Sequence, residues 1–373
     1  MAGSSGLNAV PRLRDYEGPA LLSYGFRPFF LAAGVYAVLL MALWLLVLHG
    51  VITPGELPPP VWHGHEMLFG FAVAVIAGFL LTAAQNWTGI RTPSGTPLVG
   101  LFLLWLGGRV SFLAPGVPAG LVAAIDLSFL PVLALTLARP IRRAGQLHNA
   151  PFPIMLLALA AANALVHAEA LGWTSATARL GLHLAVYVVV MMIVVMGGRV
   201  IPSFTDNKLH TRSQRWTSIE RLVPAVTLAA LAAALIAPVS LVTATLAALA
   251  AAIHLIRLAG WFTPKYWSVP LLWILHLGYA WIALGFVLLA LSAAGISATA
   301  VSALHAFTVG GIGGLTLGMM ARVSLGHTGR LLEPAPVMTR AFVIINLAAL
   351  IRVGGLVYSP DGGRTFLPRR AAH

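Results

Sequence analysis

The sequence predicts an all-α fold, a polytopic transmembrane helical bundle, on three observations. Of 373 residues, 59% are hydrophobic and 9% are charged, where an ordinary soluble domain carries about 25% charged residues. The apolar residues fall into about eleven long runs, each near the ~20 residues that cross a bilayer. The cationic residues sit in the short segments between those runs, the pattern that sets topology in membranes. This last observation disposes of nucleic acid as a partner for a chain of formal net charge +13, because such a chain gathers its charge on one face. There is no cysteine. Disulfides, thiolate ligands, iron-sulfur clusters and catalytic thiols are therefore excluded, and a metal must use histidine, carboxylate, methionine or tyrosine.

Residues 1–27 form a polar segment with Arg12, Arg14, Asp15, Glu17 and Arg27. No small-residue cleavage site follows it, so the first run reads as an uncleaved span and not a signal peptide. The transmembrane domain covers residues 28–358. Its runs extend from about Pro28 to Gly50, His63 to Trp87, Pro97 to Ala114, Val117 to Ala138, Pro151 to Leu171 and Leu180 to Ile201. They continue from Leu222 to Ala237, Val239 to Trp261, Trp267 to Leu291, Ser297 to Ala321 and Pro336 to Tyr358. A polar tail, residues 359–373, ends the chain.

Lysine and arginine fix the expected orientation. The N-terminal segment and every second loop are basic: Arg91; Arg139, Arg142 and Arg143; Lys208, Arg212, Arg215 and Arg221; Arg257 and Lys265; Arg322, Arg330 and Arg340. The intervening loops carry almost none, Arg179 being the main exception, so the N-terminus is expected in the cytoplasm. The tail breaks the rule, since Arg364, Arg369 and Arg370 follow an odd number of spans; either one run is miscounted or a further helix expected after Tyr358 is absent, and the polar tail without an apolar stretch favours the second. A weak periodicity runs through the bundle. The second, sixth and tenth runs each start near a histidine, which would suit three four-helix arcs.

Ionisable groups inside a span are costly and point to function. In the outer half lie His63, His65 and Glu66, then Arg109, His167 and Glu169, His183, His305 and Arg352; near mid-depth lie Asp126 and His276, with His254 deeper. Most of these imidazoles share one level, the arrangement needed for a bis-imidazole haem site or a three-imidazole copper site. Helix-gluing hydrogen bonds are the plainer use of each. His63 and His65 lie two apart and point about 200° from each other on a regular helix, so only one can face the interior; His65 is the deeper. Glu66 falls on the face of His63 and could relay protons from the surface. Arg109 and Arg352 read as buried near the ends of their spans and need anions, either haem propionates or Asp126, Glu169 and helix carbonyls. Tyr279, one turn after His276, could donate a hydrogen bond to a bound ligand or to backbone. Asp126 suits a proton path. Gly310, Gly314 and Gly318 form a ladder for close helix contact, opposite His305.

Several stretches resemble the NnrS family of bacterial membrane proteins. They are Tyr24-Gly25-Phe26-Arg27-Pro28-Phe29-Phe30, Trp62-His63-Gly64-His65-Glu66-Met67-Leu68-Phe69-Gly70-Phe71, Asn86-Trp87-Thr88-Gly89 and Gly198-Arg199-Val200-Ile201-Pro202. Leu275-His276-Leu277-Gly278-Tyr279-Ala280-Trp281, His305-Ala306-Phe307-Thr308-Val309-Gly310 and Ser324-Leu325-Gly326-His327-Thr328-Gly329-Arg330 complete the set. The resemblance implies about twelve spans in the bacterial inner membrane, haem b and copper as cofactors, and a part in the response to nitric oxide beside denitrification. It places the family's histidines on His63, His65, His276, His305 and His327, with His167 an addition. The resemblance to haem-copper oxidases is partial, because the seventh run has no histidine where those proteins have an adjacent pair.

The leading expectation is a haem-binding and copper-binding membrane protein that protects against nitric oxide, with an unidentified electron donor and, if it turns over, oxidoreductase activity. A proton-coupled transporter built on the intramembrane histidines and Asp126 is the alternative. A structural assembly subunit is a third. His327, in its glycine-flanked turn, reads as a loop cap.

Overall fold

The computed structural model describes residues 16–296 and 300–357. The expectations for Arg12, Arg14, Asp15, Ser297, Tyr358 and the 359–373 tail lie outside those residues. The described chain is all helical, with eleven principal helices: α1 Phe26–Leu48, α2 Pro59–Thr88, α3 Thr96–Ser111, α4 Ala119–Arg143, α5 Pro151–Ala170 and α6 Thr177–Leu209. They continue with α7 Thr217–Ile236, α8 Leu241–Trp261, α9 Pro270–Ala293, α10 Ala300–His327 and α11 Pro336–Val357. Ten are long and apolar enough to span a membrane, and α3 is shorter at 16 residues. The protein is a multi-pass membrane protein. Each run expected from the sequence has its helix, and the differences lie at the ends, where capping and not hydropathy decides. His327 is one such case: it closes α10, and the turn begins after it.

The chain divides into two compact units within α6, after Val188. In the first, α2 is the buried centre. Pro59 and Pro60 start it, where their missing N–H groups cost nothing, and Gly89 at φ 66° ends it. Phe26 and Phe30 of α1 press on Gly78 of α2, where a Cβ would meet both. In the second unit, α9 is central, with Leu271, Leu272, Tyr279, Ile282 and Phe286 fully buried. The Gly310, Gly314 and Gly318 ladder of α10 packs on α9, against Trp281, Gly278 and Ile274, as its spacing suggested.

Two spans depart from α-helical winding. Helix α2 widens to a π-helix over Glu66–Ala72 and α10 over Ala306–Gly313, each directly after a histidine, His65 and His305. Glycines follow at matching spacing, Gly70 and Gly78 in one, Gly310 and Gly318 in the other. Both spans press these glycines on the helix before them, α1 and α9. The periodicity in the sequence thus has a structural counterpart in the second and tenth runs. The sixth run, α6, is continuous α-helix through His183.

Candidate functional site

The first unit holds a buried cluster of ionisable groups from four helices, with Tyr36 of α1 as a fifth support. His65 and Glu66 sit where α2 passes from α to π winding, Arg109 on α3, Asp126 on α4, and Asn163 and His167 on α5. All six are at most 4% exposed. Arg109 donates from Nη1 to Glu66 Oε1 at 2.7 Å and from Nη2 to Asp126 Oδ1. Asp126 Oδ2 accepts from Asn163 Nδ2 at 2.7 Å and His167 Nε2 at 2.9 Å. Glu66 Oε2 accepts the Tyr36 hydroxyl. Arg109 can only donate, and it donates to both carboxylates, which suits their ionised form.

His65 lies between acceptors. Its Nδ1 is 2.9 Å from Glu66 Oε1, and its Nε2 is 2.8 Å from Asn163 Oδ1 and 3.2 Å from Asp126 Oδ2. The Asn163 amide nitrogen is already given to Asp126, which leaves its oxygen for His65. Both ring nitrogens thus face acceptors, an arrangement that an imidazolium would satisfy. Two carboxylates, one guanidinium and one imidazolium make a neutral set, the condition under which such groups tolerate burial. Glycines make the room: a Cβ on Gly70 would strike Tyr36 and Glu66, and one on Gly108 would strike Asp126.

A metal ion fits these residues by donor chemistry. His65, His167 and Asp126 each offer one ligand atom, and the three lie within 4.8 Å of one another. Two imidazoles and a carboxylate suit a transition metal; a monovalent cation in place of a proton on His65 would keep the set neutral, and a divalent one would make it positive. The sequence spacing places Glu66 with His63. The structure pairs it with His65, whose Nδ1 its Oε1 meets at 2.9 Å. His63 instead stacks on Trp44 at 4.3 Å, so the two neighbouring histidines do diverge. Glu169 caps α6 by accepting from the Ala178 N–H.

The second unit holds another buried network. Arg257 of α8 makes a bidentate pair with Glu220 of α7 and donates from Nη1 to the Val194 carbonyl and to Tyr279 Oη, at 2.9 and 2.8 Å. Tyr279 Oη is 2.8 Å from His254 Nδ1, and His254 Nε2 is 3.0 Å from Thr227 Oγ1. Thr227 donates to the Val223 carbonyl, so it accepts from His254 Nε2–H, and Nδ1 accepts the Tyr279 proton. Tyr279 is thereby engaged on both sides by protein. Arg257, counted with the loop charges in the sequence, is 4% exposed; its signal was its distance of four residues from the end of its span. Glu220 was missed because it falls just before the apolar run that starts at Leu222, in the first turn of its helix.

His183, His276 and His305 share a different arrangement. In each, Nδ1 donates to the carbonyl four residues back, Arg179, Leu272 and Val301 respectively. That bond fixes the tautomer with the Nε2 lone pair bare, the form in which imidazole ligates haem iron or copper. His276 is buried, stacks on Tyr266 at 4.1 Å, and its Nε2, near the Trp261 backbone, closes no hydrogen bond of acceptable geometry. Burial raises the Tyr266 phenol above its ordinary value, so it stays neutral beside that ring. Arg352 departs from the expectation of burial. It is exposed on α11, whose Leu347, Leu350 and Ile351 are exposed with it, because among the described residues no helix packs on this face of α11.

One comparison matches nearly the whole of this chain. The model of the NnrS protein family covers residues 20–368, both polar networks included. The chain belongs to the NnrS family. Among curated proteins and among solved structures, no match was found. Within this NnrS chain, then, the ligand-capable groups are sorted into a carboxylate and imidazole cluster in the first unit and tautomer-fixed imidazoles in both.

Proposed function

We propose that this NnrS protein is a metalloprotein of the bacterial cytoplasmic membrane, N-terminus inside, that binds nitric oxide in protection against nitrosative stress. The observation that carries the reading is the convergence of His65, His167 and Asp126 within 4.8 Å in a buried site. Copper is the proposed occupant, held by those three side chains, and haem b is proposed on His276 Nε2; the α9–α10 register sets His305 level with Phe286, on the order of 15 Å from His276 along the helix, so its Nε2 would serve a separate site. When bound, these groups would supply sites for nitric oxide coordination and one-electron exchange. The chain's own residues do the rest. Arg109 holds Asp126 and Glu66 in place through two nitrogens, Asn163 fixes the His65 ring, and burial keeps water from the cluster. Tyr36 and Glu66 form the hydrogen-bonded edge nearest α1 and can hold a proton at Glu66 Oε2.

A second reading has its own observation. His65 lies between two carboxylates, at 2.9 Å from Glu66 and 3.2 Å from Asp126, so a cluster that exchanges protons and never binds metal would serve a proton-coupled transporter. Purified protein decides between them. Copper and iron are measured by mass spectrometry and the visible spectrum is recorded oxidised, reduced and with nitric oxide, for wild type, His167→Gln and His276→Gln. The metalloprotein reading expects a b-type spectrum that shifts with nitric oxide, copper lost in His167→Gln, and haem lost in His276→Gln. A folded, colourless and metal-free wild type overturns it.

A further inference from the structure

A cavity of about 660 Å³ opens in the first unit where α2 ends, α3 begins and α4 ends. Three arginines line it: Arg91 from the segment after α2, and Arg139 and Arg143 from the last turns of α4. None of its lining residues is acidic. Arg139 and Arg143 are exposed and, among the described residues, make no ion pair. The N-terminus of α3 meets the same cavity through Ser94 and Pro97, and no side chain caps it. Its positive dipole end therefore adds to the guanidinium charge.

The other wall is apolar. Leu101, Leu104 and Val132 line the cavity on the side of the spans, and the α4 surface continues beyond Val132 through the exposed Leu135. A ligand that satisfies both walls has an anionic phosphate at one end and hydrocarbon at the other. The arginines also lie on the side that the lysine and arginine distribution assigns to the cytoplasm, where anionic headgroups attract basic residues.

We propose that this cavity is a binding site for an anionic phospholipid, its phosphate held by Arg91, Arg139 and Arg143 and its acyl chains laid along Leu104 and Val132. Arg91 is steadied for this by the Tyr16 ring, 5.4 Å from its guanidinium. Helix C-termini attract arginine without any ligand, which accounts for Arg142 and Arg143 alike. It does not account for the convergence of Arg91 from a different element, nor for the uncapped α3 terminus on the same cavity.

The full-length protein, purified in neutral detergent, is titrated with phosphatidylglycerol, with phosphatidylcholine and with inorganic phosphate. Thermal unfolding midpoints are read, and lipids retained on the folded protein are counted by native mass spectrometry. Each arginine at an anionic headgroup is worth about a fivefold factor, so R139Q/R143Q is expected to weaken the phosphatidylglycerol response on the order of 30-fold. R142Q, one residue away and outside the cavity, keeps the wild-type response. An equal response to phosphatidylcholine overturns the proposal, as does an equal loss in R142Q. A full shift from inorganic phosphate alone overturns the lipid as the source of the anion. Should R139Q/R143Q melt early for other reasons, the retained-lipid count still decides: loss of bound phosphatidylglycerol supports the site, and an unchanged count overturns it.

Discussion

Arg109 is the residue whose loss should be felt most. It donates to both carboxylates of the first-unit cluster, and all partners are at most 4% exposed. With His65 as an imidazolium, Glu66 and Asp126 are balanced in the wild type by Arg109 and by His65. Arg109→Gln removes one positive charge and leaves a net negative charge that water cannot reach. Breaking a buried pair from one side costs about 3–5 kcal/mol. Adding Glu66→Gln restores neutrality, with Asp126 against His65, and removes an acceptor that Arg109 no longer serves. The double variant is therefore expected to be more stable than Arg109→Gln alone, with a coupling on the order of 2 kcal/mol. The assay is denaturant unfolding of the detergent-purified full-length protein, all four members of the cycle under one condition. If Arg109→Gln unfolds within about 1 kcal/mol of wild type, or if Glu66→Gln adds its own cost on top, the charge balance drawn from the structure is wrong.

Three other substitutions probe the supports. Tyr36→Phe removes one charge-assisted hydrogen bond to Glu66 and should cost about 1.5–3 kcal/mol in the same unfolding assay; no loss would mean the hydroxyl is not needed there. Gly198→Ala places a methyl group on the Arg257 guanidinium, so a loss of about 1–3 kcal/mol is expected, and reduced Tyr279 order should appear as altered tyrosine fluorescence. Gly310→Ala drives a methyl into the Trp281 indole, whereas Gly313→Ala finds its nearest side chain, Ile345, at 3.5 Å. The first should lower the thermal midpoint and the second leave it near wild type; equal effects would argue against the packing of α10 on α9.

How much of the fold and the site is legible in the sequence follows from what hydropathy can and cannot encode. The spans were legible because hydrocarbon accepts a backbone only when its hydrogen bonds close within the segment, which forces length and composition together. His65, His167 and Asp126 were legible as candidates because a buried ionisable group is rare by cost. Their partnership was not. It requires α2, α4 and α5 to turn three particular faces to one point, and rotation about a helix axis leaves hydropathy unchanged. The same holds for Arg257. Its position near a span end matched a topology signal, and only the packing of α7, α8 and α9 shows that it is committed to Glu220 and Tyr279. The π-helical stretches after His65 and His305 were equally hidden, since a five-residue hydrogen-bond step leaves no mark in composition.

The sequence alone determined that this chain is a membrane-embedded helical protein with no thiol chemistry and with imidazoles as its scarce ligands, because solvent and residue chemistry act on each segment separately. Tertiary structure alone decided which charges neutralise one another and where room was left by Gly70, Gly108 and Gly198. Those outcomes depend on distances between segments far apart in the chain, and electrostatic energy in a medium without water is set by such distances.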